Sequence, residues 1–189
     1  MQRLIFLLFC FLPVSCSLPV EKHINLSPGP EVTESTLMNI RVERWGRVKF
    51  SGLLGLGKRD AGLQYVLLDA TGVKLLAGTI KYNGAAPLPG GVLQGTMTAN
   101  FLHTAFTRVF IIEPAQKPCS GSWFLRLCSR RKNGGDGEKS LRSAFMTLWR
   151  VDMPQGTEDG DITMIYSQPW LGIRIVLTGI RHGVDDGHG

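Results

Sequence analysis

The chain has 189 residues, enough for one domain with a sizeable core, and its 43% hydrophobic content is ordinary for a globular fold. A formal net charge of +6, with no aromatic residues interleaved along an extended basic surface, excludes a nucleic-acid binder. The absence of GxSxG, HExxH and paired-cysteine metal spacing excludes the common hydrolase and zinc chemistries, and no cofactor is expected.

The N-terminus carries Met1-Gln2-Arg3, then an apolar run from Leu4 to Leu12, then Pro13-Val14-Ser15 before Cys16. A charged region, an apolar region and a small residue predict an export signal over 1–15, too short to span a membrane in the folded protein. Its removal takes Arg3 and leaves a charge of +6 − 1 = +5. A cysteine directly after a small residue resembles the lipobox of bacterial lipoproteins. Ser15 and Val14 fit that pattern, and Pro13 stands where Leu is usual, with Leu12 one position further back. The resemblance implies that Cys16 is lipidated and becomes the first mature residue. Ser17, in the place where Asp would retain the protein at the inner membrane, implies an outer-membrane lipoprotein facing the periplasm. At about 0.8 kcal/mol per buried methylene, a triacylated cysteine is effectively a permanent membrane anchor.

Residues 16–39 read as a tether, made irregular by Pro19, Pro28, Gly29 and Pro30, with a turn or two of helix expected from Glu31 to Met38. The folded domain is expected over 40–181 and a frayed tail over 182–189. Gly46 to Tyr82 predicts a three-strand meander, turning at Lys58–Gly62 and again at Asp69–Gly72. In its first strand Val48, Phe50, Leu54 and Leu56 alternate with Arg47, Lys49 and Ser51. Its middle strand, Leu63 to Leu68, is apolar on both faces, which predicts cover on both sides.

After the Asn83–Gly91 break, Leu93, Met97, Phe101, Ala105 and Val109 recur at helical spacing. They predict a helix from Val92 to Ile111, closed by Glu113-Pro114 and laid over the meander as a lid. Trp123 to Cys128 and Leu141 to Val151 read as strands on either side of a Lys132–Lys139 turn. Asp161 to Ser167 and Leu171 to Arg181 flank a turn at Gln168-Pro169-Trp170. The expected fold is mainly β (α+β): seven strands in a strongly curved antiparallel sheet or unclosed barrel, with the helix plugging it. An extended segment between Cys119 and Cys128 holds them too far apart to pair, unless Ser120-Gly121 bends the chain back. Arg126, Arg130, Arg131 and Lys132 make the densest basic cluster, read as a solvated strand tip or a weak attraction to anionic lipid.

Gly52-Leu53-Leu54-Gly55-Leu56-Gly57-Lys58 imitates GxxxxGK, but Arg59 follows where a P-loop needs Ser or Thr, and no helix begins there. His103 reads as a satisfied histidine on the helix. His182, Asp185, Asp186 and His188 belong to the tail, which supplies no fixed metal geometry. The remaining signal is an excess of apolar residues expected to face one interior. Phe50, Leu54, Tyr65, Leu67, Leu75 and Ile80 come from the meander, with Met97, Phe101 and Phe106 from the helix. Phe145, Trp149, Tyr166 and Ile175 come from the later strands. Periodicity does not separate a filled core from a ligand cavity.

The order of lipobox, spacer, three-strand meander with Asp69-Ala70-Thr71-Gly72 as its second turn, helix and further strands resembles the LolA/LolB-like superfamily. The similarity runs from about Ile40 to Arg181. It implies an unclosed barrel with a helical lid over an apolar cavity, no cofactor, no catalysis, and an acyl chain, lipid or lipoprotein as cargo. In that family the turn corresponding to Thr71 presents a bulky apolar residue for passing cargo into the membrane. Thr71 therefore implies acyl-chain binding without lipoprotein insertion. The other expected role is a structural or adaptor lipoprotein with a filled core that recruits a protein partner.

Overall fold

A computed structural model describes residues 24–26, 35–59, 62–81, 90–93, 96–131, 136–153 and 163–180. The signal segment, Cys16, the prolines of the tether and the 182–189 tail lie outside the described residues. In chain order the strands are β1 (Ile24–Leu26), β2 (Ser35–Arg44), β3 (Arg47–Arg59), β4 (Gly62–Asp69) and β5 (Lys74–Lys81). Helix α1 (Met97–Phe110) leads into β6 (Ile112–Pro114), β7 (Cys119–Gly121), β8 (Leu125–Arg131) and β9 (Gly137–Ser143). Strands β10 (Thr147–Met153), β11 (Thr163–Gln168) and β12 (Ile173–Gly179) follow. Ten strands form one antiparallel sheet in the order β5-β4-β3-β2-β12-β11-β10-β9-β8-β7, which is not closed, and β1 pairs with β6 beside it.

Period-two alternation sets which face turns inward. Met38 and Ile40 of β2, Leu63, Tyr65 and Leu67 of β4, and Ile175 and Leu177 of β12 are buried, while Asn39 and Gln64 between them, and Arg174 just before Ile175, are exposed. The outer face of β4 is open, contrary to the expectation of cover on both sides, because Gln64 and Val66 face solvent there. Val48 also departs from its predicted face. The β2–β3 register shifts between Val42 and Glu43, so Val42 opposes Phe50, Glu43 opposes Val48, and Lys49 is the extra residue. One inserted residue flips everything beyond it. Phe50, Leu54 and Leu56 keep the inward side, and Val48 is exposed.

Three element boundaries differ from the sequence reading. Ser35–Met38 is strand, not helix, because each residue pairs with Leu54–Gly57 of β3, and the domain therefore starts before Ile40. The predicted Leu141–Val151 strand is two strands, β9 and β10, reversed at Ala144–Met146, where Ser143 N donates to Met146 O at 2.8 Å. The predicted helix loses its first turn. Thr96 caps α1, its Oγ1 accepting from Ala99 N at 3.1 Å, while Leu93 N donates to Leu75 O and ties the approach segment to the edge of β5. At the other end Ile111 N still donates to Thr107 O, and β6 begins at once.

Cys119 and Cys128 are joined in a disulfide, against expectation. They oppose each other across β7 and β8, with Cα atoms 4.0 Å apart. The extended segment begins only at Leu125, because Gly121 adopts φ +118° and the chain reverses through Ser122, whose N–H donates to Leu125 O. A Cβ at Gly121 would collide with that same carbonyl oxygen. The basic cluster is divided: Arg126 lies at the turn end of β8, while Arg130 and Arg131 lie at its far end and Lys132 is outside the described residues. The glycines that imitate a phosphate loop lie inside β3. Gly52 is there because a Cβ would strike the Leu68 carbonyl of β4.

Candidate functional site

Helix α1 lies against the inner face of the sheet and touches both of its wings. Ala99, Leu102, Ala105, Phe106, Val109 and Phe110 form its buried stripe. On the β3–β5 wing the Tyr65 ring meets Phe106 edge to face at 5.2 Å, and Tyr65 Oη lies 2.8 Å from His103 Nδ1. On the β10–β12 wing Phe101 meets Tyr166 at 6.5 Å, and Tyr166 stacks on Trp149. The Arg108 guanidinium lies 5.6 Å from the centre of the Trp149 ring and donates to Tyr166 Oη at 2.8 Å. Tyr166 Oη donates onward to Gln168 Oε1. Sequence alone offers no sign that Arg108 enters the interior. Its helical position among polar residues reads as exposed.

This interior gathers most of the predicted cavity residues. Leu54, Tyr65, Leu67, Ile80, Phe106, Trp149, Tyr166 and Ile175 are buried in one cluster, Phe50 and Phe101 are half-buried against it, and Leu75, the extra residue where the β4–β5 register shifts, is half-buried outside it. Met97 and Phe145 do not join it. Met97 is the first residue of α1 and is 88% exposed, and Phe145 stands in the β9–β10 turn, 85% exposed. A side chain lining a void that admits water keeps accessible surface even when that void is sealed. Phe106 and Tyr166 keep 0%. Neither ring therefore borders a water-sized void.

Burial shifts three ionisable groups in this interior. Burial pushes the Tyr65 phenol up to about 12. Burial also raises Tyr166, partly opposed by the neighbouring Arg108. His103 is pushed below its ordinary value by burial, so at neutral pH the ring is neutral and its Nδ1 shares a hydrogen bond with the Tyr65 hydroxyl. Among the described residues no group of three or more His, Cys, Asp and Glu gathers to hold a metal, and no helix is long and apolar enough to cross a membrane.

A second feature lies at one edge of the sheet. The pairings Arg44–Arg47, Leu68–Lys74, Gly121–Arg126, Arg142–Thr147 and Gln168–Ile173 close five turns, all on the same edge, because each hairpin reverses there. Neighbouring turns are tied together. Trp45 N donates to Gly172 O at 2.7 Å, Trp170 Nε1 to Leu148 O at 3.0 Å, and Ala144 N to Phe124 O at 2.9 Å. Along this rim stand exposed Trp45, Trp123, Phe124, Phe145, Met146 and Trp170. Trp123, Phe124 and Phe145 meet edge to face in sequence, at 5.8 and 6.3 Å.

No family model, no curated protein and no solved structure matches the chain.

The rim is what sequence reading missed. Its signal is present in the sequence as apolar or aromatic residues placed inside turn punctuation: Trp45 before Gly46, Trp123 after Gly121-Ser122, and Trp170 after Pro169. Turns normally carry small and polar residues, so a tryptophan at a turn tip needs a reason beyond the core.

Proposed function

We propose that the protein is a lipid-anchored, non-enzymatic adaptor on the periplasmic side of the outer membrane, held by Cys16 and acting through its surface. The observation that carries this reading is the complete burial of Phe106 and Tyr166 between helix and sheet, which leaves no water-sized void beside either ring where a carrier needs an acyl-chain cavity. The anchor rests on the lipobox at Val14-Ser15-Cys16. Two measurements test the reading. Labelling cells with palmitate marks the wild type and leaves Cys16→Ser unlabelled. Native mass spectrometry of the purified protein gives the covalently acylated mass alone. A stoichiometric non-covalent lipid, displaced by a fluorescent fatty acid, overturns the adaptor reading.

That second outcome would favour an acyl-chain carrier or receptor related to the LolA/LolB-like proteins. An unclosed antiparallel sheet with one helix against its inner face supports this alternative. So does Phe101, half-buried at the margin of the core, where a lifted helix would first expose apolar surface. An acyl chain entering there would gain roughly 25 cal/mol per Å² of apolar area but must displace the same area of helix contact.

A further inference from the structure

We infer that the turn rim is a docking face for an anionic phospholipid bilayer. The inference rests on the reading that the surface, not the interior, does the work. It fails separately, because a lipid found inside the protein says nothing about the rim.

Three observations converge on this partner. The first is asymmetry. Three of the four tryptophans stand exposed on the rim, whereas the described strand ends opposite it, Arg59, Gly62, Arg131, Gly137, Met153 and Thr163, include no aromatic residue. The second is charge. Arg44, Arg47, Lys49, Lys74 and Arg126 are exposed along the same edge, and among the described residues no ion pair holds any of them. The rim's acidic groups, by contrast, are engaged within the protein. Glu43 pairs with Arg41 and Arg174. Asp69 accepts from the backbone and hydroxyl of Thr71 and from Val73 N, closing its own turn. The rim therefore presents uncompensated positive charge among aromatic tips. Arg44, Arg47 and Lys49 line an open depression with Trp45, a seat for a phosphate headgroup under an indole.

The third observation is shape. The aromatic tips sit on separate turns, spread from the β2–β3 turn to the β7–β8 turn, five strand steps at about 4.8 Å each. A protein partner would have to match every gap between them. A bilayer interface accepts each tip independently: amphipathic rings settle at headgroup depth while cations meet anionic lipid.

The test uses the full chain reconstituted with phosphatidylcholine vesicles, with or without phosphatidylglycerol, prepared with and without brominated acyl chains that quench tryptophan. Vesicle attachment through the N-terminus is common to all variants, so quenching reads the rim. The expected result is blue-shifted emission and at least twofold stronger quenching in the anionic vesicles, weakening as salt rises. The Trp123→Ser/Phe145→Ser double variant, whose rings each meet Phe124 and are otherwise exposed, keeps the wild-type circular dichroism and loses about the share of the quenching that one rim tryptophan in three carries. Arg44→Gln with Arg47→Gln reduces the anionic-lipid preference on the order of tenfold. Wild-type emission that is the same in brominated and plain vesicles of both compositions overturns the proposal. So does a crosslinker at position 145 that captures protein and no lipid in anionic vesicles.

Discussion

The Lys139 side chain is 2% exposed at the C-terminal end of α1. Its ammonium donates to Val109 O at 3.0 Å, Ile112 O at 2.7 Å and Glu113 Oε1 at 3.1 Å. The end of a helix is rich in carbonyls without intrahelical donors and carries the negative pole of its dipole, so a buried cation is well placed there. Lys139→Met keeps the aliphatic length and strands both carbonyls, whereas Glu113 is exposed enough to rehydrate. The expected loss is about 3 kcal/mol, read from urea denaturation. The Tyr65–His103 pair makes a pH-dependent contribution. His103 is depressed below 6.5 by burial, so the unfolded chain takes up its proton first as pH falls. The histidine's contribution is therefore fully present above about pH 6.5 and is lost as pH drops toward the lower folded value. Between pH 7.5 and 5 the urea midpoint should fall more steeply in the wild type than in His103→Gln. Equal slopes would remove His103 as the source.

At the scale of elements, the β7–β8 hairpin depends on its crosslink. Three residues of β7 make a short edge strand, and the Cys119–Cys128 disulfide closes a small loop around its turn. In the chain-entropy model a loop of about ten residues is worth roughly 2.5 kcal/mol. Alkylation should find both thiols blocked until reductant is added, and Cys128→Ser should lower stability by about that amount. Thr96→Ala should cost α1 about 1 kcal/mol, since its hydroxyl accepts from Ala99 N. These elements also show where sequence is readable. The β3–β4–β5 meander and the core face of α1 are legible because apolar periodicity and turn residues agree there. The helix start is obscured because Val92 and Leu93 continue the apolar spacing while the chain is still tied to the β5 edge by Leu93 N. Ser35–Met38 is equally obscured, because its strand character comes from pairing with Leu54–Gly57, a contact invisible to local pattern. The interior residues were legible as apolar, but not whether they enclose space. Filling is a property of Phe106 meeting Tyr65, and no spacing encodes it.

Among the described residues the molecule is a sheet wrapped around one helix, and its two wings meet through that helix and the central strands. Tyr65 holds α1 from one wing while Tyr166 and Trp149 hold it from the other through Phe101 and Arg108. An open sheet of this width leaves two edges. At β5 the edge is met by Gly90, which exchanges backbone hydrogen bonds with Ala77, and at β7 the edge strand is kept to three residues. Because the core is a single cluster running through both wings, the described domain should unfold in one transition. Phe106 is the side chain best placed to test this, being fully buried in the helix face that contacts Tyr65. Phe106→Ala removes a ring that its neighbours cannot replace and should cost about 4 kcal/mol. Far-ultraviolet dichroism follows the backbone, and near-ultraviolet dichroism follows the stacked Trp149–Tyr166 pair on the opposite wing. Both signals should shift together by the same amount in the variant. A near-ultraviolet transition that stays at its wild-type midpoint would mean that the wings are held independently of the helix.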